Sequence, residues 1–219
     1  MRYILWTEGT SDFGLTRVLN WLLQENHVYG DHEAHTVTHK SYPNLEILMK
    51  DEVVIASPAG DTAAMLFIHR DADSDEENDG KGPKTRRNEV INWIKEAKEQ
   101  RVSLPHEVVL IPVQETEAWL LACEATLRSW AGVKESKPIP SLPSKVESQT
   151  RPKEQLKLVL ETLQEKSMNS KEFSEVRKQL WVQMERVNNG FAPLKRIPAF
   201  QMLRDDVAEA VERHGLARL

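Results

Sequence analysis

Apolar runs of strand length alternate with amphipathic stretches over the first 130 residues. Continuous apolar residues fill the ranges 3–6 and 63–68, apolar residues follow Glu107 throughout the range 107–113, and a weaker run covers 34–40. Runs of this length and character are typical of strands buried on both faces of a parallel sheet. We therefore predict strands at these positions.

Helices are predicted between these runs. Apolar residues recur at roughly helical spacing over 13–23, 44–50, 86–99 and 118–125. Strands that alternate with helices favour βα units and a mostly parallel sheet. The predicted fold class is thus α/β, a mostly parallel sheet flanked by helices.

The pattern changes near residue 131. Prolines interrupt 132–152, which predicts an irregular connection, and the chain after Pro152 has helical periodicity. The predicted organisation is an α/β core over 1–130, a connection over 131–152 and a helical extension over 153–219 that packs on the core. Within the extension, we predict helices at about 153–166, 170–187 and 199–213.

Composition narrows the function classes. Hydrophobic residues make up 40% of the 219 residues, but no apolar run approaches the roughly 18 residues of a membrane helix. Cys123 is the only cysteine, which fits a cytoplasmic location and no disulfide framework. The net charge of -5 argues against a protein that coats nucleic acid. A nucleic-acid enzyme stays open, because bound cations reverse the local sign of a carboxylate site.

Acidic residues follow three of the predicted strands. Glu8 follows the first, Asp71 and Asp73 follow a later one, and Glu115 and Glu117 follow the last. The carboxyl ends of parallel strands meet at one edge of a sheet, where ligands collect. Clustered carboxylates recruit a cation, and all-oxygen ligands suit Mg²⁺ or Mn²⁺. Alternatively, these acidic residues have no function and are solvated residues of loops and helix starts.

These motifs resemble the Toprim domain, the metal-binding module of topoisomerases, DnaG-type primases and overcoming-lysogenisation-defect nucleases. The resembling elements are Glu8 after the first strand and the Asp71-Ala72-Asp73 motif after a later one. Residues 111–122 are similar to a stretch in small, stand-alone Toprim-like bacterial proteins, as are 151–153 and 197–200. Those proteins are often encoded beside an ATPase and are associated with antiviral defence against phage. The resemblance covers most of the chain.

The resemblance implies a Toprim-type, Mg²⁺- or Mn²⁺-dependent nuclease acting on DNA or RNA. Topoisomerases and primases have further domains for which this chain has no length, so cleavage is the expected activity. We hypothesise that Asp71 and Asp73 are the main metal ligands and that Glu115 or Glu117 completes the shell. Glu8 would bind a second metal ion or act as general base. Lys153, Lys195 or Arg196 would stabilise the leaving oxygen, and Lys153 is preferred because it lies in a segment that matches the family.

Basic residues after the acidic loop are candidates for binding the phosphate backbone. Lys84, Arg86 and Arg87 form this patch, although a solvated helix start explains them equally well. The histidines at 27, 32, 35 and 39 lack a compact ligand spacing, so a zinc site is disfavoured.

Two rival functions stay open. The chain could be a non-catalytic or regulatory subunit of an ATPase complex. Because it has no phosphate-loop motif, any ATP hydrolysis would come from the partner protein. Asp-x-Asp after a strand also marks haloacid-dehalogenase-type phosphatases, in which the pair follows the first strand. In this chain the pair follows a later strand, and this order favours Toprim. The helical extension could cap the sheet, dimerise or bind a partner.

Overall fold

The computed structural model describes residues 1–51, 63–72, 82–142 and 145–216. The chain divides into two compact units that are interleaved along the sequence. Unit 1 comprises 1–70, 84–111 and 202–219, and unit 2 comprises 71–83 and 112–201. The sequence instead predicts three consecutive segments, because periodicity does not show which distant segments pack together.

A four-stranded parallel sheet forms the centre of unit 1. Its strands are β1 (Arg2–Thr7), β2 (Glu33–Thr38), β3 (Met65–His69) and β4 (His106–Leu110), in the order β2-β1-β3-β4. Every neighbouring pair is parallel. The predicted α/β class with a parallel sheet flanked by helices is confirmed.

The two central strands are the most deeply buried. All six residues of β1 and all five of β3 are buried, whereas Val37 is the one buried residue of the edge strand β2. Tyr3 of β1 packs edge-on against Phe67 of β3 at 5.2 Å between ring centroids. The Tyr3 hydroxyl donates to Asn20 Oδ1 at 2.8 Å, so this buried polar group is satisfied. Central strands covered on both faces explain the continuous apolar runs.

The helices of unit 1 bury apolar residues, and one of them begins at a side-chain cap. They are α1 (Leu15–Glu25), α2 (Leu45–Lys50) and α3 (Pro83–Glu99), whose first residue belongs to unit 2. On α1 the buried residues recur every three to four positions, from Leu15 to Leu23. The side chain of Asn44 caps α2 by accepting a hydrogen bond from the Ile47 N–H at 2.9 Å.

Unit 2 is helical, as predicted for the C-terminal part of the chain. Its helices are α4 (Glu117–Leu121), α5 (Glu124–Ala131), α6 (Pro152–Gln164), α7 (Ser170–Arg186) and the first residues of α8 (Pro198–Arg213). Short 3-10 helices cover Val146–Ser148 and Ala192–Arg196. The predicted helix over 118–125 is instead split in two, because Cys123 leaves the helical region of backbone space. No helix in the described ranges is both long and apolar enough to cross a membrane.

Two glycines of unit 2 differ in what a side chain would meet. A Cβ at Gly190 would lie 2.0 Å from the Met184 carbonyl oxygen, whereas a Cβ at Gly132 would have nothing within 4 Å. Gly132 has a φ of 66°, so alanine there meets only backbone strain of about 1 kcal/mol. We expect Gly190→Ala to lower the free energy of unfolding by about 3 kcal/mol or more, because backbone must shift.

Urea unfolding of both variants against the wild type checks this expectation. Equal losses for Gly190→Ala and Gly132→Ala would contradict the close approach at Gly190.

Candidate active site

Three of the predicted carboxylates lie in unit 2 and interact electrostatically. Asp71 follows β3, Glu115 lies in the connection after β4, and Glu117 is the first residue of α4. The Ala72 N–H donates to the Pro112 carbonyl at 3.1 Å, which holds the segment after β3 beside the segment after β4. We call Asp71, Glu115 and Glu117 the carboxylate cluster.

The residue before Glu115 adopts an unusual backbone conformation. Gln114 has a φ of 67° and is buried, although it is neither glycine nor asparagine. A non-glycine residue in the left-handed region costs about 1–3 kcal/mol and persists where its surroundings hold it. Gln114 lies between the end of β4 and Glu115 in sequence.

Glu117 forms a buried ion pair. Its Oε1 accepts a short hydrogen bond from Arg177 Nη1 of α7, and the two side chains are 4% and 12% exposed. The Thr116 hydroxyl donates to Glu117 Oε2 at 3.3 Å. The Arg177 guanidinium also lies over the Phe173 ring, 5.4 Å from its centroid. A carboxylate buried to this degree requires such a partner.

Glu115 has a strongly perturbed pKa. Burial, followed by the charges of Glu117 and Asp71, raises the pKa of Glu115 to about 7, and Lys153 and Arg177 oppose the rise. All five groups belong to unit 2. Carboxylates in a site of mixed charge with a pKa near neutrality are typical of functional sites.

Lys153 supplies an exposed positive charge beside the cluster. It lies in the first turn of α6, directly after Pro152 at the helix start, and lowers the pKa of Glu115. The amino end of a helix itself favours anions. This position suits the role that the sequence suggests, which is to stabilise the leaving oxygen.

The donor set of the cluster fits a hard divalent cation in chemistry and in charge. Its atoms are all carboxylate oxygens, and a cation would relieve the repulsion that raises the pKa of Glu115. Within the described ranges, however, no group of three or more histidine, cysteine, aspartate or glutamate side chains is arranged to hold a metal ion. Asp73, a predicted ligand, lies outside the described residues.

Glu8 belongs to unit 1 and is engaged by an arginine. Its Oε1 lies 2.9 Å from Arg70 Nε, since Glu8 and Arg70 follow the adjacent strands β1 and β3. Arg70 also lies 3.8 Å from Glu89 of α3, and Glu89 accepts two hydrogen bonds from Arg86 at 2.8 and 3.1 Å. The four side chains form a chain of alternating charge.

The predicted basic patch is largely paired. Arg86 binds Glu89, as described above, and Arg87 Nη2 donates to Asp206 Oδ2 of α8 at 2.6 Å. Lys84 is exposed. Arg87 thus tethers α3 to α8 within unit 1.

Two histidines lie at the carboxyl end of the sheet. His69 is fully buried, with Nδ1 3.7 Å from Asp12 Oδ2. His39 packs against Trp6 at 4.3 Å and Trp93 at 5.9 Å between ring centroids. Burial, and then the charges of Arg70 and His69, lower the pKa of His39 to about 3, which keeps the ring neutral.

Sequence reasoning missed Arg177 as a member of the site. It lies 60 residues from Glu117 on a helix with several other cations, and no local motif distinguishes it. Only tertiary packing brings it to the cluster.

Comparison of the chain with protein-family models, curated proteins and solved structures finds no match in any of the three.

Removing one partner of the buried ion pair should destabilise unit 2. We expect Arg177→Met to cost about 3–5 kcal/mol, because the Glu117 carboxylate stays buried without its cation. The double variant with Glu117→Gln should recover much of this loss, since no unpaired charge is left. Urea unfolding measures both.

The matched control is Arg204→Met, which removes an arginine from an exposed ion pair with Asp205. Such pairs contribute about 1 kcal/mol or less. A loss for Arg177→Met no larger than that of the control would contradict the structural role of the pair.

The raised pKa of Glu115 predicts a pH-dependent stability. The folded-state value of about 7 exceeds the ordinary value of 4.5, so the folded protein retains a proton that the unfolded chain loses between these values. Stability should therefore fall as pH rises from 4.5 through 7. Glu115→Gln removes this loss, so it should melt above the wild type at pH 8 and no higher at pH 4.

Thermal melting in EDTA across this range tests the prediction, with the exposed Glu135→Gln as control. A melting difference for Glu115→Gln that is the same at pH 4 and pH 8 would refute it.

Proposed function

We propose that this chain is a divalent-metal-dependent nuclease of the Toprim type, which hydrolyses phosphodiester bonds in DNA or RNA. The observation that carries the proposal is the carboxylate cluster with Lys153 beside it, which follows two adjacent strands of a parallel sheet. Ligand sites of open α/β sheets occur at the carboxyl ends of strands.

Each residue of the cluster has a separate role in the proposal. Asp71 and Glu115 would hold Mg²⁺ or Mn²⁺, with Asp73 as a further ligand. Arg177 positions Glu117 through the buried ion pair. A bound divalent cation would lower the pKa of a coordinated water and offset charge on the phosphodiester.

Lys153 would stabilise the negative charge that develops on the leaving oxygen when water attacks the phosphorus. Its ammonium is exposed at the start of α6 and interacts with Glu115. The negative charge of a phosphate is repelled by the carboxylates of the cluster. The positive charge of Lys153 beside Glu115 would reduce this repulsion when the substrate approaches. Lys84 of unit 1 is a candidate contact for the nucleic-acid backbone.

A second candidate is a non-catalytic or regulatory subunit of an ATPase complex. Two observations favour it. Arg177 already neutralises Glu117, and the described residues contain no group of three carboxylates arranged to hold a metal ion. In this alternative, a partner completes or controls the site, as the resemblance to ATPase-associated proteins in phage defence suggests.

A nuclease assay on the purified chain distinguishes the two candidates. Supercoiled plasmid, single-stranded DNA and total RNA are each incubated with Mg²⁺, Mn²⁺ or EDTA. We expect metal-dependent cutting that Asp71→Ala abolishes and that Lys153→Ala reduces by 10²-fold or more, as is roughly typical when one electrostatic contact to the reacting group is lost.

The control is Asp205→Ala, which removes an exposed aspartate of α8 and should cut like the wild type. Cutting that survives in Asp71→Ala would show contamination or a different site. Binding of Mn²⁺ without cutting of any substrate would replace the nuclease proposal with the regulatory one.

A further inference from the structure

A cleft of about 640 Å³ lies in unit 2. Its apolar lining includes Val113, Ala122, Val146 and Ile197. Pro193 and Pro198 add rigid, flat apolar walls. Clefts of several hundred Å³ with apolar walls and few polar groups are the usual form of small-molecule sites.

Hydrogen bonds hold the two walls of the cleft in place. The Glu147 carboxylate in the 3-10 helix Val146–Ser148 accepts from the Ala199 N–H at the start of α8, at 3.0 Å. The Ser148 hydroxyl donates to the Lys145 carbonyl at 2.8 Å, which closes the turn that carries Lys145. The cleft is therefore formed before any ligand enters it.

Two cations border this apolar space. Lys145 and Arg196 both line the cleft, and both are exposed. Neither side chain forms an ion pair with a residue in the described part of the chain, although most arginines of unit 2 are paired. Two cations beside an apolar cleft suit an anion that carries an apolar body.

The remaining polar groups add little negative charge. Glu147 is the only carboxylate among the described lining residues, and its Oε1 is occupied by the Ala199 N–H. Burial raises the pKa of Glu147, which increases its neutral fraction. Glu147 and the Ser148 hydroxyl thus offer hydrogen-bonding atoms to the polar edge of a ligand.

We propose that this cleft binds a nucleoside monophosphate, either free or as one unit of a single-stranded nucleic acid. The phosphate is held by Lys145 and Arg196, and the base lies against the apolar and proline walls. A base supplies the flat apolar body and the polar edge, and a phosphate supplies charge for two cations. The site requires no metal and does not depend on nuclease activity.

Isothermal titration calorimetry in EDTA tests the proposal. The probes are AMP, GMP, CMP and UMP, with adenosine and inorganic phosphate as fragments that lack one half of the ligand. We expect saturable binding of at least one monophosphate with a Kd below roughly 1 mM, and weaker binding of both fragments. Lys145→Ala and Arg196→Ala should each weaken it by roughly tenfold, since each removes one charge-assisted contact.

Lys171→Ala is the matched control, because Lys171 is an exposed lysine of unit 2 that does not line the cleft. Melting temperatures of all variants show whether they are folded. No binding of any monophosphate, or binding that neither cleft variant weakens more than Lys171→Ala, overturns the proposal.

A 5′-phosphorylated single-stranded oligonucleotide separates the two sources of the ligand. Tighter binding of the oligonucleotide than of the mononucleotide assigns the cleft to a nucleic-acid chain. Equal or weaker binding assigns it to a free nucleotide. Because all titrations exclude divalent metal, an absence of nuclease activity has no bearing on the result.

Discussion

Burial of the central strands β1 and β3 on both faces constrains much of this structure. Their eleven residues are all buried, so helices must cover both faces and the connections between parallel strands must cross over. All four strands consequently end at one edge of the sheet. Glu8, Asp71 and Glu115 follow the strands β1, β3 and β4 in sequence.

Charge compensation is the second constraint, and the described carboxylates meet it in different ways. Glu117 is buried and paired with Arg177, and Glu8 is paired with Arg70. Glu115 instead has neighbours of both signs and a pKa raised to about 7. A carboxylate whose repulsion is only partly offset retains an affinity for a cation that a fully paired one has lost. Glu115 is therefore the residue at which metal binding and protonation would compete.

Unit 2 combines two features that a nucleic-acid enzyme would use. The carboxylate cluster suits a metal ion, and the cleft at Lys145 and Arg196 suits a phosphate attached to an apolar body. The segment 113–122 contributes to both, because Val113 and Ala122 line the cleft and Glu115 and Glu117 lie between them in sequence. Gln114, whose φ is positive, lies within that segment.

The sequence by itself determined the α/β class, the four strands and the placement of the acidic residues after strand ends, because these follow from local periodicity and from the geometry of parallel sheets. It did not determine which cation each carboxylate meets. Arg177 is 60 residues from Glu117 in sequence, and Arg70 is 62 residues from Glu8. Periodicity carries no information about such distant pairs. The interleaving of the two units and the cleft between the turn at Glu147 and the start of α8 likewise depend on long-range packing. Only the tertiary structure decided them, since burial and charge pairing are properties of the folded chain.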